Sequence, residues 1–211
     1  MYISELEKKV MQEPIIAYLN IIKAICPQVT EDELNYIESG LSIIELKPRQ
    51  IYIHASNIQK EIGFVFSGLL RGYYVDNKGN QITVKFVREY EFATHFPAFI
   101  SQTPSMYSFQ TIEPTVIVNI SYKHIQEGYQ RYPIMERYGR LVAEEVLKIQ
   151  QKRIESFLFE TAEDRYIKFI NEDPDLFNRV SISHLCSYLG IERQTLTRIR
   201  KKLSDVTTLQ E

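Results

Sequence analysis

The spacing of apolar residues changes twice along this chain, near Ser42 and again near Ser121, and these two changes limit its possible folds more than any other feature. Before Ser42, Leu6, Val10, Ile15, Ile16, Leu19 and Ile22 recur at helical intervals, in helices that Pro14 is expected to interrupt. A further helix is predicted from Thr30 to Gly40, with Thr30 as its cap and Glu33 placed to complete a reciprocal capping box. After Ser42 come short apolar or alternating runs: Ile43 to Leu46, Gln50 to His54, Ile62 to Phe66, Leu69 to Val75, Gln81 to Phe86 and Thr115 to Ile120. Turn formers separate them, most plainly Asp76-Asn77-Lys78-Gly79-Asn80, which reads as a hairpin between Tyr74 and Ile82. So many short strands at near-regular spacing predict an antiparallel barrel or roll, and with the flanking helices an α+β fold. Glu91 to Pro104, rich in aromatics and carrying two prolines, predicts an irregular or short helical insertion within the roll.

Beyond Ser121 the helical period returns. Tyr122 to Tyr129 predicts a short helix, and Pro133 opens a long one that can continue to Phe159. On it Met135, Val142 and Ile149 lie seven apart, as do Gly139 and Val146. That pattern fits either a seam for a second helix or a stripe packed on the chain's own strands. A helix from Ala162 to Asn171 should follow, ending before Asp173-Pro174, an expected exposed linker. The expected organisation is therefore residues 1–132 as a roll, 133–160 as a long helix and 161–211 as a C-terminal helical domain.

The last of these contains VSISHLCSYLGIERQTLTRIRKKL, Val180 to Leu203, with the spacing of a helix-turn-helix. Ser181 or Ser183 can cap a first helix, Leu185 and Leu189 point inward, and Gly190 supplies the positive φ of a tight turn. Ile191 plugs the turn, and Leu196, Ile199 and Leu203 give the second helix a buried stripe. Its other face holds Arg193, Gln194, Thr195, Thr197, Arg198, Arg200, Lys201 and Lys202, and no acid. Arg193, Gln194 and Arg198 fall on the first turns, the end that meets base edges when such a helix enters the major groove of double-stranded DNA. Arginine there suits guanine and glutamine suits adenine.

Composition narrows the alternatives. A net charge of -2 excludes a chain that coats nucleic acid nonspecifically, so DNA contact must be local to the basic helix. The two cysteines, Cys26 and Cys186, are far apart with no CxxC pair, which argues against a disulfide scaffold, a thiolate zinc site or an iron-sulfur cluster; both read as small buried hydrophobes. No apolar run approaches a membrane span, and the N-terminal residues lack the order of a signal peptide, so a cytoplasmic location is expected. His54, His95 and His124 raise a competing reading, a cupin-like metalloenzyme or a small-molecule-binding roll without DNA binding. No HxH pair and no suitably spaced glutamate supports it, and no metal, cofactor or catalytic residues are expected.

Roll, long helix and helix-turn-helix, in this order, resemble the CRP/FNR family of bacterial transcription regulators over nearly the whole chain. GFVFSGLLRGYYVDNKGNQITVKF, Gly63 to Phe86, is similar to that family's sensor-domain hairpin, and FETAEDRYIKFI, Phe159 to Ile170, to the segment entering its DNA-binding domain. LGIERQTLTRIRKKL, Leu189 to Leu203, is similar to its recognition-helix segment. The resemblance implies a double-stranded β-helix like a cyclic-nucleotide-binding domain, and a homodimer joined through Met135, Gly139, Val142, Val146 and Ile149. It also implies a winged helix-turn-helix on a two-fold symmetric operator, with RNA polymerase as a partner. Arg193, Gln194, Thr195, Thr197, Arg198, Lys201 and Lys202 become the DNA-binding set. Two departures stand out. Gln194 replaces the glutamate of the cyclic-AMP-responsive members, which implies a different operator, and Ser204 to Glu211 is too short for the usual wing, which is expected to be shortened or missing.

The family's cyclic-nucleotide site is also altered. Its glycine-glutamate positions fall on Thr94 and His95 and its arginine-serine positions near Ser105, and no arginine lies between Arg88 and Arg131. A cyclic phosphate would find no cation in this segment. The expectation is an effector other than cyclic AMP, an unknown small molecule, in a pocket bounded by Phe92, Thr94, His95, Phe96, Ser105 and Tyr107, or aromatic side chains that simply fill the core.

Overall fold

A computed structural model describes residues 5–208. The chain divides into two compact units: residues up to Tyr74 with Phe86–Glu145, and Val75–Lys85 with the residues from Val146 onward. Helix α1 (Glu5–Ile25) precedes α2 (Glu31–Ser39), and eight strands follow: β1 (Leu41–Leu46), β2 (Ile51–Ile53), β3 (Glu61–Ser67), β4 (Leu70–Val75), β5 (Gln81–Val87), β6 (Phe92–Ala93), β7 (Ser108–Thr111) and β8 (Thr115–Ser121). A short helix α3 (Phe96–Ser101) lies between β6 and β7. They form two four-stranded sheets, in the orders β1-β8-β3-β6 and β2-β7-β4-β5. The antiparallel register of β8 is set on both sides, Ile43 opposite Val118 on β1 and Phe64 opposite Val118 on β3. Between the sheets Ile53, Val65, Leu70, Val87, Phe109 and Ile117 are buried, so the roll is packed as an apolar core.

A second cluster joins α1, α2 and the outer face of the first sheet. Tyr18, Ile22, Cys26, Leu34, Phe64 and Val118 meet Ile134 and Met135, and burial pushes the Tyr18 phenol up to about 12. This packing explains a departure from the sequence reading: α1 runs unbroken through Pro14. A proline within a helix costs about 3 kcal/mol. Pro14 is itself buried at the head of the face carrying Tyr18 and Ile22, whose burial offsets that cost. The capping box of α2 forms as the sequence predicts, with Thr30 Oγ1 accepting from the Glu33 amide at 3.3 Å and Glu33 accepting from the Thr30 amide at 2.8 Å.

After α4 (Tyr122–Arg131), helix α5 spans Pro133–Phe159, the bounds its sequence suggests. The compact units divide within α5, at Glu145, with no break in the helix. The C-terminal elements are α6 (Ala162–Glu172), α7 (Pro174–Arg179), α8 (Ile182–Leu189) and α9 (Arg193–Thr208). The expected linker at Asp173-Pro174 is instead the start of α7, because proline presets φ at a first helical position and Leu176 is buried. Among the described residues no strand follows α9, so no wing hairpin is present there. Nor is any helix among them long and apolar enough to cross a membrane.

Candidate nucleic-acid interface

Helix α8 begins at Ser181, whose hydroxyl accepts the His184 amide at 3.1 Å, and ends at Gly190, left-handed at φ 66. The Ile191 amide reaches back to the Cys186 carbonyl at 3.0 Å, closing the turn before α9. Leu185, Cys186 and Leu189 from α8 and Leu196 and Ile199 from α9 are buried, the apolar underside that fixes the second helix on the first.

The opposite side of α9 is exposed at Arg193, Gln194, Thr197, Arg198, Lys201 and Lys202. The Thr197 hydroxyl donates to the Arg193 carbonyl at 3.0 Å, and Thr195 lies half-buried at the margin. Among the described residues Arg193, Gln194, Arg198 and Lys201 make no ion pair or side-chain hydrogen bond. Lys202 differs: its ammonium donates to both carboxylate oxygens of Glu163 on α6 at 2.8 Å. Arg200 turns away too, with Nε 3.0 Å from the Tyr166 hydroxyl and its guanidinium 5.3 Å from the Phe177 ring centre. Five cationic positions read as one face thus separate into three that point outward and two that fasten α9 to α6 and α7. Nothing in the sequence marks Glu163 as the partner of Lys202, since they lie on separate helices.

The second unit also contains the tip of the β4–β5 hairpin. Asp76 holds that turn by accepting from the Lys78 and Asn80 amides, each at 2.8 Å, with Gly79 at positive φ. β5 is an edge strand, and Ser187 of α8 occupies its outer edge: its hydroxyl accepts the Thr83 amide at 2.7 Å and donates to the Gln81 carbonyl at 3.3 Å. The sequence offers no signal for this pairing.

The segment around α3 has the opposite character. The buried Gln59 amide oxygen accepts from the Thr94 hydroxyl at 3.1 Å and the His95 amide at 3.3 Å, while its nitrogen donates to the Glu61 carbonyl at 2.6 Å. The Ser105 hydroxyl donates to the Tyr107 carbonyl at 2.8 Å, and the Met106 amide donates to His95 Nδ1 at 3.3 Å. Burial lowers the pKa of His95, in keeping with a ring nitrogen that accepts. Tyr107 lies 4.4 Å from the His95 ring, Phe92 packs with Phe64 in the α1-facing cluster, and Phe96 packs with Ile62 and Phe99. Of the six residues named from the sequence, Thr94, His95, Ser105 and Tyr107 are thus linked directly or through Gln59, while Phe92 and Phe96 are half-buried and pack against the neighbouring apolar clusters. Gln59, the hub of the network, was not foreseen because it precedes the segment by tens of residues.

Along α5, Met135 is buried in the chain's own core and Gly139 lies against Tyr129, whose phenol would collide with any Cβ there. Val142 and Val146 are half-buried and Ile149 is exposed. The large exposed apolar residues on this helix also include Leu147, Ile154 and Leu158, at 67%, 54% and 69% exposure, spaced seven and then four apart. Among the described residues no three His, Cys, Asp or Glu converge as metal ligands. His124 instead stacks on Tyr36, with ring centres 4.2 Å apart.

The sequence matches no protein-family model and no curated protein significantly. The fold does match, and it is that of CRP/FNR regulators. FixK2 from Bradyrhizobium japonicum superposes with a TM-score of 0.65 at 12% identity, over 79% of this chain and 86% of that one. CLP from Xanthomonas campestris, a c-di-GMP-responsive global regulator, gives 0.66 at 15% identity, over 84% and 93%. A mutant of CooA from Carboxydothermus hydrogenoformans gives 0.63 at 14%, over 80% and 78%.

Proposed function

We propose that this chain is a homodimeric, sequence-specific DNA-binding regulator of transcription of the CRP/FNR family, acting in the cytoplasm and not governed by cyclic AMP. The observation that carries the reading is the exposed face of α9 from Arg193 to Lys202, which holds no acid and where the side chains of Arg193, Gln194, Arg198 and Lys201 make no ion pair or hydrogen bond among the described residues. With α9 in the major groove, Arg193 and Arg198 are placed for guanine and Gln194 for adenine. Thr195, Thr197 and Lys201 then face the flanking phosphates. Lys202, held by Glu163, contributes less than its charge suggests.

The second copy is proposed to pack along α5 through Leu147, Ile154 and Leu158, with Val142, Val146 and Ile149 beside them. The seven-then-four spacing of this exposed stripe supports that seam. Met135 and Gly139 are already engaged within the chain. A small-molecule effector would have to displace Gln59 from Thr94 and His95, and RNA polymerase is the partner expected of such a regulator.

Selection from a random duplex pool tests the reading. The expected result is a two-fold symmetric consensus with half-sites about 34 Å apart; no enrichment would overturn it. Calorimetric titration with cyclic AMP should give no tight binding, and tight binding would overturn the assignment of the α3 segment.

A further inference from the structure

The last turns of α5 and the first turn of α6 meet the turn of the helix-turn-helix through three side chains, Arg153 and Phe157 of α5 and Arg165 of α6. The Arg153 guanidinium donates through Nη2 to the Tyr188 carbonyl and lies over two rings, 3.8 Å from the Tyr188 centre and 4.4 Å from that of Phe157. Arg165 of α6 donates through Nε to the Leu189 carbonyl at 3.0 Å and through Nη1 to the Glu160 carbonyl at 2.7 Å, with its guanidinium 5.0 Å from the Phe157 ring centre. Phe157 closes the arrangement against Gly190, where a Cβ would stand 2.8 Å from its ring. Tyr188 and Leu189 are the final residues of α8, and carbonyls at a helix C-terminus lack intrahelical partners and carry its partial negative charge. Two guanidinium groups are well matched to that end, and their planar forks permit hydrogen bonding and stacking together, which an ammonium cannot reproduce.

The junction is fixed on its other side as well. Glu160 accepts from Ser156 and pairs with Lys168 at 2.8 Å, and Thr161 caps α6 in a reciprocal box with Asp164. No glycine or proline interrupts α5 between Gly139 and its end.

We infer that Arg153, Phe157 and Arg165 are positioning residues for DNA recognition, fusing the end of α5 to the α8–α9 turn so that the heading of α9 follows α5 as one rigid body. This inference rests on the DNA-binding reading above for its consequence, though not for its geometry. Neither arginine belongs to the exposed face of α9, so their contribution is to aim that face rather than to touch the duplex. A movement of α5 then reaches the recognition helix without being absorbed at the α5–α6 junction.

Spin labels at Gln150→Cys on α5 and Lys201→Cys on α9, in the full-length protein, measure this directly; Cys26 and Cys186 are buried, so labelling is confined to the introduced sites. With the labelled chain diluted into excess unlabelled protein, so that labelled copies are not paired with each other, a single narrow distance distribution is expected, broadening in Arg153→Lys and Phe157→Ala backgrounds. In unlabelled protein the same substitutions should lower affinity for the selected site on the order of tenfold, the worth of one desolvated cation–π contact, and leave the salt dependence unchanged. Arg153→Lys, the milder change, carries the test should Phe157→Ala fail to fold. An unchanged distribution overturns the inference, as does an Arg153→Gln variant that loses affinity together with about 0.9 of the salt slope, which would make Arg153 a phosphate contact. If the parent protein binds no DNA, the functional reading fails while the distance measurement still decides whether the clamp is rigid.

Discussion

The α3 segment and the outer face of α9 are both rich in polar residues, but those residues are disposed differently. Around α3, Thr94, His95, Ser105 and Gln59 are largely sheltered and hydrogen-bond to one another or to nearby backbone. On α9, Arg193, Gln194, Arg198 and Lys201 face solvent with no such partner among the described residues. Buried polar groups must be satisfied, and here the protein satisfies them itself. Exposed guanidinium and amide groups that no carboxylate pairs are supplied only by water, and a polyanion can replace that water at little cost. Substitutions in the two regions should therefore fail differently: at α3 by loss of stability, at α9 by loss of affinity.

The largest expected effect is at Gln59. Gln59→Leu keeps much of the volume and leaves the Thr94 hydroxyl, the His95 amide and the Glu61 carbonyl without their present partner. With about 1 to 3 kcal/mol for each buried polar group left unsatisfied, and some rescue by water, the loss should be roughly 2 to 4 kcal/mol, read from urea unfolding. A stability within about 0.5 kcal/mol of the parent would show that the network is not what closes this segment. Next comes Arg198→Ala, or Arg193→Ala, which should cost about 1 to 3 kcal/mol of binding to the selected site and relax preference at one base pair, with the unfolding midpoint unchanged. A uniform loss across all sequences would instead make the residue a phosphate contact.

This contrast also marks what could be read from sequence. The six strands with alternating or apolar runs, the Asp76-to-Asn80 turn, the Thr30 cap and both ends of α5 were legible, because each depends on residues within a few positions of one another. β6 and β7 were not, since two- and four-residue strands are too short to show a period. The continuity of α1 past Pro14 and the folding of Pro174–Arg179 into α7 depend on what those residues bury, which local preference cannot supply. At the candidate interface, the exposed set on α9 followed from helical periodicity, but the diversion of Lys202 to Glu163 and of Arg200 to Tyr166 did not. The same holds for Gln59 and Ser187, whose partners are fixed only by the three-dimensional path of the chain.

The two lysines at the end of the α9 face sharpen the comparison by a smaller amount. Lys201 is exposed and Lys202 is held by both oxygens of Glu163. Each phosphate contact removed should lower the salt dependence of binding by about 0.9 in slope. Lys201→Ala is expected to show that decrease, and Lys202→Ala considerably less. Because the Lys202 pair is partly exposed, its removal should cost stability only slightly, about 0 to 1 kcal/mol. Equal decreases in slope would mean that Lys202 leaves Glu163 to meet the duplex.

The smallest effect is a dependence on pH confined to the α3 segment. Burial lowers the folded-state pKa of His95 below the ordinary histidine value, and its Nδ1 accepts from the Met106 amide, so the folded protein favours the neutral ring. For a group whose pKa is depressed on folding, the unfolded state takes up protons first as pH falls. The contribution of His95 is therefore full above the ordinary histidine pKa, declines as pH drops below it, and is gone once pH passes through the lower folded value. His95→Gln should flatten this portion of the stability-versus-pH curve, measured by urea midpoints on either side of that range. The salt slope of DNA binding should not change with it, because α9 carries no histidine. If instead His95→Gln steepened the acid loss, the ring would be stabilised as its cation, and the hydrogen bond from Met106 could not be the one that holds it.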